Sequence, residues 1–151
     1  MKGRTLVTLD RSFIALNRAS TDRIRALVTR LSDKELQYPV GKHWTVAITL
    51  VHLAFWDRRV INILERTERD GKLYTPEIDI AVNDISLPFW AAIPPREAAR
   101  ITLETAEELD ERLASLPPAL LEKVHACNER WVLRTMHRSE HLAKIDAALK
   151  K

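Results

Sequence analysis

The segment from Thr45 to Asp70 constrains the fold most, because it is the most apolar part of the chain and its apolar residues recur at helical spacing. Thr45 suits the N-cap of a helix, and Gly71 suits the position just past its C-terminal end. At 100° per residue, His52 shares one face with large apolar residues: Ile48, Phe55, Trp56, Val60 and Ile63. We therefore expect a long central helix that carries a histidine ring into the core.

Three further segments have the pattern of amphipathic helices. The first follows Asp10, a plausible N-cap, and stops near Ser32. Another starts at Pro95, since proline suits the first turn of a helix, and Pro117 with its neighbouring proline ends it. The last is expected to start at Asn128 as its N-cap and to run to near the C-terminus.

The composition favours the same fold class. Only three of the 151 residues are glycine, while 46% are hydrophobic and 30% are charged, an ordinary globular composition. Together with the four helical patterns, this predicts an all-α protein. We expect one domain over residues 1–151, a four-helix bundle with a long crossover between helices two and three.

The connections between these helices differ in character. Residues 34–43 contain a proline and a glycine and are expected to form a loop. The crossover, residues 72–95, contains four prolines but is rich in large apolar residues, and a short helical turn is expected near residues 83–90. Residues 119–126 are expected to add another short helix. One small bundle would not bury all the apolar residues of the crossover, so we expect a homodimer.

Charge and cysteine content exclude some classes of function. The net charge is +3, and basic and acidic residues are interspersed. No lysine or arginine block of the kind used for nucleic-acid or membrane-surface binding is present, so neither partner is expected. Cys127 is the single cysteine and cannot form an internal disulfide, and Met1 to Asp10 has no apolar core typical of a signal peptide. We expect a cytoplasmic protein that acts on a small molecule.

Three histidines form the strongest functional hypothesis. His137 and His141 are spaced i, i+4, so on a helix their rings lie one turn apart on one face. His52 alone is more typical of a core histidine that is hydrogen-bonded inside the protein. Burying a polar ring without a partner costs roughly 1–3 kcal/mol, and a metal ion would remove that cost for all three rings. Three protein ligands with an open fourth position are typical of catalytic zinc.

The helical faces that carry the histidines also carry cations. Arg59 follows His52 by two turns, and Arg130 and Arg134 precede His137. These arginines could rim a cleft and hold an anionic cofactor or substrate group, or they could form an ordinary solvated edge; the sequence favours neither. Lys144 lies on the same face. Glu140, a possible proton acceptor, points about 100° away from the adjacent histidine, so the catalytic base stays unknown.

Two short motifs resemble the signatures of the DinB-like superfamily. The first is residues 41–46, GKHWTV, leading to residues 51–57, VHLAFWD. The second is residues 136–142, MHRSEHL. This superfamily includes the DNA-damage-inducible DinB proteins and the metal-binding domain of mycothiol-dependent maleylpyruvate isomerases.

The resemblance implies a four-helix bundle, often dimeric, with zinc or nickel held by a triad that matches His52, His137 and His141. It also implies a low-molecular-weight thiol, such as mycothiol or bacillithiol, as cofactor or substrate of a transferase or isomerase reaction. Other members are described as metal-dependent hydrolases, and many have no known activity. A thiol-transferase enzyme is therefore the first hypothesis. A hydrolase, or a non-enzymatic stress-response binding protein of the same fold, is the alternative.

Overall fold

The central helix extends between the two residues that the sequence indicated. In the computed structural model, which describes residues 9–150, helix α3 runs Val46–Asp70. The Thr45 hydroxyl accepts a hydrogen bond from the backbone N–H of Ile48 at 3.1 Å, so it caps the first turn. Gly71 ends the helix with φ +69°, a left-handed conformation that glycine adopts without steric cost. Both predicted boundaries are confirmed.

Three other long helices pack with α3. Helix α1 is Ser12–Arg30, α5 is Pro95–Ser115 and α7 is Arg134–Leu149. α3 contacts α5 and α7, and α1 contacts the same two helices. Their apolar faces meet in two core clusters. One joins the C-terminal half of α1 to the start of α3 and the second half of α7, and the other joins the second half of α3 to the end of α5. The predicted all-α class is confirmed.

The expected loop over residues 34–43 is wrong. Helix α2, Asp33–Leu36, starts with a capping box in which Ser32 and Glu35 each accept a hydrogen bond from the other's backbone N–H. A two-stranded antiparallel hairpin follows, with β1, Pro39–Val40, paired to β2, Trp44–Thr45. The hairpin leads directly into α3 and places Trp44 beside its first turns.

The last helix starts later than expected. Asn128 caps a 3₁₀ turn, Glu129–Trp131, by accepting from the N–H of Arg130 at 3.0 Å. Helix α7 begins six residues further on and takes its cap from a distant residue. Asn17 on α1 accepts from the N–H of Thr135 at 2.9 Å and donates to the carbonyl of Val132 at 2.8 Å. The predicted start at Asn128 is wrong because a long-range cap replaces the local one.

Two shorter helices complete the chain. Helix α6 is Pro118–Cys127, as expected for that region. Helix α4, Val82–Ala91, lies in the crossover and packs on α3. Trp90 is buried, whereas Ile80, Ile85 and Phe89 are 77%, 67% and 72% exposed.

Two expectations concern the chain's location. The segment Met1 to Asp10, which is not expected to be a signal peptide, lies mostly outside the described part of the chain, because that part starts at residue 9. Within residues 9–150, none of the helices combines the length and the apolar character needed to cross a bilayer.

Candidate metal centre

The three histidines meet between α3 and α7. His52 comes from the buried face of α3, and His137 and His141 come from successive turns of α7. One ring nitrogen from each lies within 4.8 Å of the other two, and the Nε2 atoms of His52 and His137 are 3.2 Å apart. Two imidazole nitrogens on one tetrahedral zinc ion are about 3.3 Å apart, from the usual Zn–N distance. The triad is therefore near the size of a metal site.

Aromatic side chains wall the triad. The Trp44 ring stacks against His141 with centroids 6.1 Å apart and lies 4.7 Å from that of His52. Trp90 and Trp56 flank His52 at 5.7 Å and 6.3 Å. The Nδ1 atoms of His52 and His141 are buried and have no hydrogen-bond partner among residues 9–150. Buried nitrogen atoms without partners and three converging rings are what a cation with nitrogen ligands would fit.

Burial keeps the three rings neutral. It lowers the pKa of His52 to about 3, with further lowering by the nearby His141. It lowers the pKa of His137 to about 2, assisted by the charge of Arg134, and the pKa of His141 to about 4, assisted by Lys144. Neutral imidazole is the form that binds metal, so no proton has to be lost at pH 7 before binding.

Arg134 joins the triad to a buried carboxylate. Its Nη2 donates to Nδ1 of His137 at 3.2 Å, its Nε donates to Oδ1 of Asp57 at 2.9 Å, and its Nη1 donates to the carbonyl of Arg130 at 3.0 Å. A neutral imidazole has one N–H, so with Nδ1 accepting, Nε2 of His137 carries it and donates to His52. Metal binding through Nε2 would move this proton to Nδ1, and Arg134 would have to give up its bond there.

The sequence analysis did not predict the ion network behind Arg134. Arg138, with a side chain 0% exposed, binds Asp57 Oδ2 at 3.0 Å and Asp110 Oδ1 at 2.8 Å. A signal was present: Asp57 falls at helical spacing with the buried Leu50, Leu53 and Leu64, and Arg138 falls at helical spacing with Leu142 and Ile145. A charge on an apolar stripe at each of two facing helices indicates a buried pair.

The three predicted arginines converge on one side of the triad. They line a pocket of about 150 Å³ together with His137, Trp56 and Trp131. The Arg59 guanidinium lies 5.6 Å from the ring centroids of Trp56 and Trp131 and donates to the carbonyl of Pro76 at 3.0 Å. Arg134 forms the buried ion pair with Asp57 described above.

The third arginine, Arg130, forms an ion pair with Glu140. Arg130 binds Glu140 with Nη2 and Oε1 3.1 Å apart. Glu140 is therefore held in an ion pair at the surface, which does not favour the proton-acceptor role considered for it. The role of the three arginines in binding a cofactor stays a prediction.

An all-helical fold with three converging histidines that could hold a metal ion agrees with the comparison to known families. The family model of the mycothiol maleylpyruvate isomerase N-terminal domain matches residues 17–143, which include all three histidines. The chain belongs to this family, and the resemblance drawn from residues 41–57 and 136–142 is confirmed. Searches of curated proteins and of solved structures gave no match to the chain.

The lowered histidine pKa values predict an acid-sensitive metal-free protein. Their native pKa values, about 2 to 4, lie below the ordinary 6.5, so below pH 6.5 the unfolded chain takes up protons that the native state does not. The free energy of unfolding should therefore fall as the pH drops from 6.5 to about 4, whereas above 6.5 the rings are neutral in both states. Urea unfolding in the presence of a chelator at each pH measures this.

Two variants separate the triad from other titrating groups. His141→Gln should flatten the pH dependence between pH 6.5 and 4, because it removes one buried imidazole. His43→Gln changes a histidine exposed in the hairpin loop and should leave the slope as in wild type. Equal slopes in all three proteins would show that the triad is not the source.

Proposed function

We propose that the chain is a single four-helix-bundle domain that binds one divalent metal ion, zinc or nickel, through His52, His137 and His141. The observation that carries this proposal is the convergence of three neutral, largely buried imidazoles from two helices within 4.8 Å. Membership of a DinB-like metal-binding family supports it. The long apolar helices fold around the site, so the metal is not needed to hold the chain together.

A zinc-type ion with three protein ligands supplies an open Lewis-acid position that binds a thiol as its thiolate or lowers the pKa of water towards ~7. The protein residues hold the three rings, keep them neutral and pack indole rings against them. A protein base would have to come from a carboxylate near the triad. Asp57 and Glu140 are the carboxylates nearest in sequence to the histidines on α3 and α7, and arginine binds each of them. This favours a reaction in which the nucleophile needs no protein base.

We infer that the protein is a metal-dependent enzyme of the thiol-S-transferase type that works with a low-molecular-weight thiol. The family is named for an isomerase that uses mycothiol. The arginine pocket beside His137 would hold a carboxylate of the bound thiol. Arg59 is the best candidate because its side chain lines the pocket and, within residues 9–150, only its Nη2 donates a hydrogen bond, to the carbonyl of Pro76. Such a role places the protein in the cytoplasm, where small thiols are kept reduced.

The metal claim predicts about one zinc or nickel ion per chain in protein purified without a histidine tag. Replacing His52, His137 or His141 with Ala should remove most of the metal while leaving the helical content nearly unchanged. His43→Ala, a change at an exposed histidine, should retain it. Elemental analysis with circular dichroism measures both, and wild-type occupancy near zero after supplementation with zinc and nickel would refute the site.

The thiol claim is tested on cobalt-substituted protein, in which thiolate ligation gives a charge-transfer band. N-acetylcysteine should produce the band, and its uncharged amide should bind more weakly because it lacks the carboxylate. Arg59→Met should weaken N-acetylcysteine binding about tenfold, the scale of a charge-assisted hydrogen bond, with the cobalt retained.

The neighbouring arginine provides the control for this measurement. Arg58 is exposed and paired with Glu108, so Arg58→Met should bind N-acetylcysteine as wild type does. If no thiol produces a band in protein shown to hold cobalt, the thiol role is wrong. A hydrolase or a non-enzymatic binding protein would then be the better account.

We also propose that the protein is a homodimer formed through the crossover. An exposed apolar face runs along α4 and the residues just before it, formed by Ile80, Ile85 and Phe89. A second copy of the chain would cover this face. Sedimentation velocity at micromolar concentration should show a dimer that Phe89→Glu dissociates. Leu16→Glu, at an exposed leucine of α1, should leave it intact. A wild-type monomer under these conditions would contradict the proposal.

A further inference from the structure

A second and larger pocket opens on the other side of the triad. Its volume is about 480 Å³, against about 150 Å³ for the arginine pocket. The β hairpin and the second half of α7 form its walls, with the hairpin contributing Val40, Gly41 and Trp44 and the helix contributing His141, Lys144 and Ala148. Because His141 lines this pocket and His137 lines the other, the triad lies between the two.

The walls of this pocket are mainly apolar. The Trp44 indole stacks on His141, with 22° between the planes, and continues the apolar surface from the hairpin to the triad. Gly41 adds no side chain, and the space where a Cβ would stand is open. A volume of this size, an apolar lining and few polar groups are typical of pockets that bind small organic molecules.

Lys144 is the single cationic side chain of this lining. Its side chain is exposed, and within residues 9–150 it takes part in no ion pair or side-chain hydrogen bond. The reason lies in its helix neighbours: Glu140, one turn before, is bound to Arg130, and Ala148, one turn after, has no charge. Its positive charge also contributes to the low pKa of His141, so its field reaches the triad.

We propose that this pocket binds a small organic molecule with an apolar body and a single negative charge, such as a monocarboxylate. The apolar body would lie against Trp44 and Ala148, and the carboxylate would pair with Lys144 at the pocket mouth. One cation matches one anionic group, and a second carboxylate would find no second cation in this lining. That this molecule is the thiol's reaction partner rests on the proposed function; its binding does not.

The test uses the full-length, ¹⁵N-labelled protein in two forms, one free of metal and one loaded with zinc. Each form is titrated with benzoate and, separately, with benzyl alcohol. Benzoate should shift the backbone amide signals of Gly41, Lys144 and Ala148 in a saturable way. Benzyl alcohol has nearly the same apolar body and should bind several-fold more weakly, because it lacks the charge.

Matched lysine variants identify the recognition element. Lys144→Met keeps the side-chain length and should weaken benzoate binding about three- to fivefold, the range of an exposed charge pair, with benzyl alcohol unaffected. Lys123→Met, at an exposed lysine of α6, should change neither. Both lysines are exposed, so neither substitution is expected to disturb folding.

Three results would overturn the proposal: equal binding of the two ligands, unchanged benzoate affinity in Lys144→Met, or shifts confined to Asn128 and Trp131 beside the arginine pocket. The metal-free titration separates this inference from the proposed function. Benzoate binding without a cobalt–thiol band would leave the pocket standing and remove the thiol role. A band without benzoate binding would do the reverse.

Discussion

The structure depends most on the carboxylate of Asp57, which binds two arginines from the facing helix. Its side chain is 2% exposed, and its two oxygens meet Arg134 and Arg138 at 2.9 Å and 3.0 Å. Removing one member of a buried ion network leaves an uncompensated charge at a cost of about 3–5 kcal/mol. Sliding α7 along α3 by one turn would break both bonds, so Asp57 fixes the register that brings His137 and His141 opposite His52.

The same carboxylate acts on the triad through Arg134. A histidine that binds metal ordinarily donates its second N–H to an acceptor, whereas here the second nitrogen of His137 accepts from a guanidinium. Arg134 thus orients the ring but opposes the tautomer that metal binding requires. Within residues 9–150, Nδ1 of His52 and Nδ1 of His141 have no hydrogen-bond partner. If the triad binds metal, the surroundings of His137 would therefore have to rearrange most.

Local signals could be predicted from the sequence, and long-range ones could not. Thr45 and Gly71 bound α3 because a cap and a left-handed glycine act within one turn, and the i, i+4 spacing placed His137 beside His141 for the same reason. The capping box of Ser32 and Glu35 is equally local, but the proline and glycine that follow it predicted a loop. The start of α7 depends on Asn17, which is over one hundred residues away in sequence. The ion pair of Arg134 with Asp57 depends on the contact between α3 and α7. Neither follows from spacing along one helix.

The two pockets lie on opposite sides of the triad and differ in character. A narrow pocket with three arginines adjoins His137, and a wide apolar pocket with one lysine adjoins His141, so two different molecules could approach the triad from opposite sides. X-ray absorption at the metal edge of zinc-loaded protein tests the central claim most directly. Three imidazole nitrogens near the usual 2.0–2.1 Å are expected in the wild type, and His137→Ala should lose most of the zinc and with it this shell. A sulfur ligand from Cys127, or a coordination shell unchanged by His137→Ala, would contradict the account.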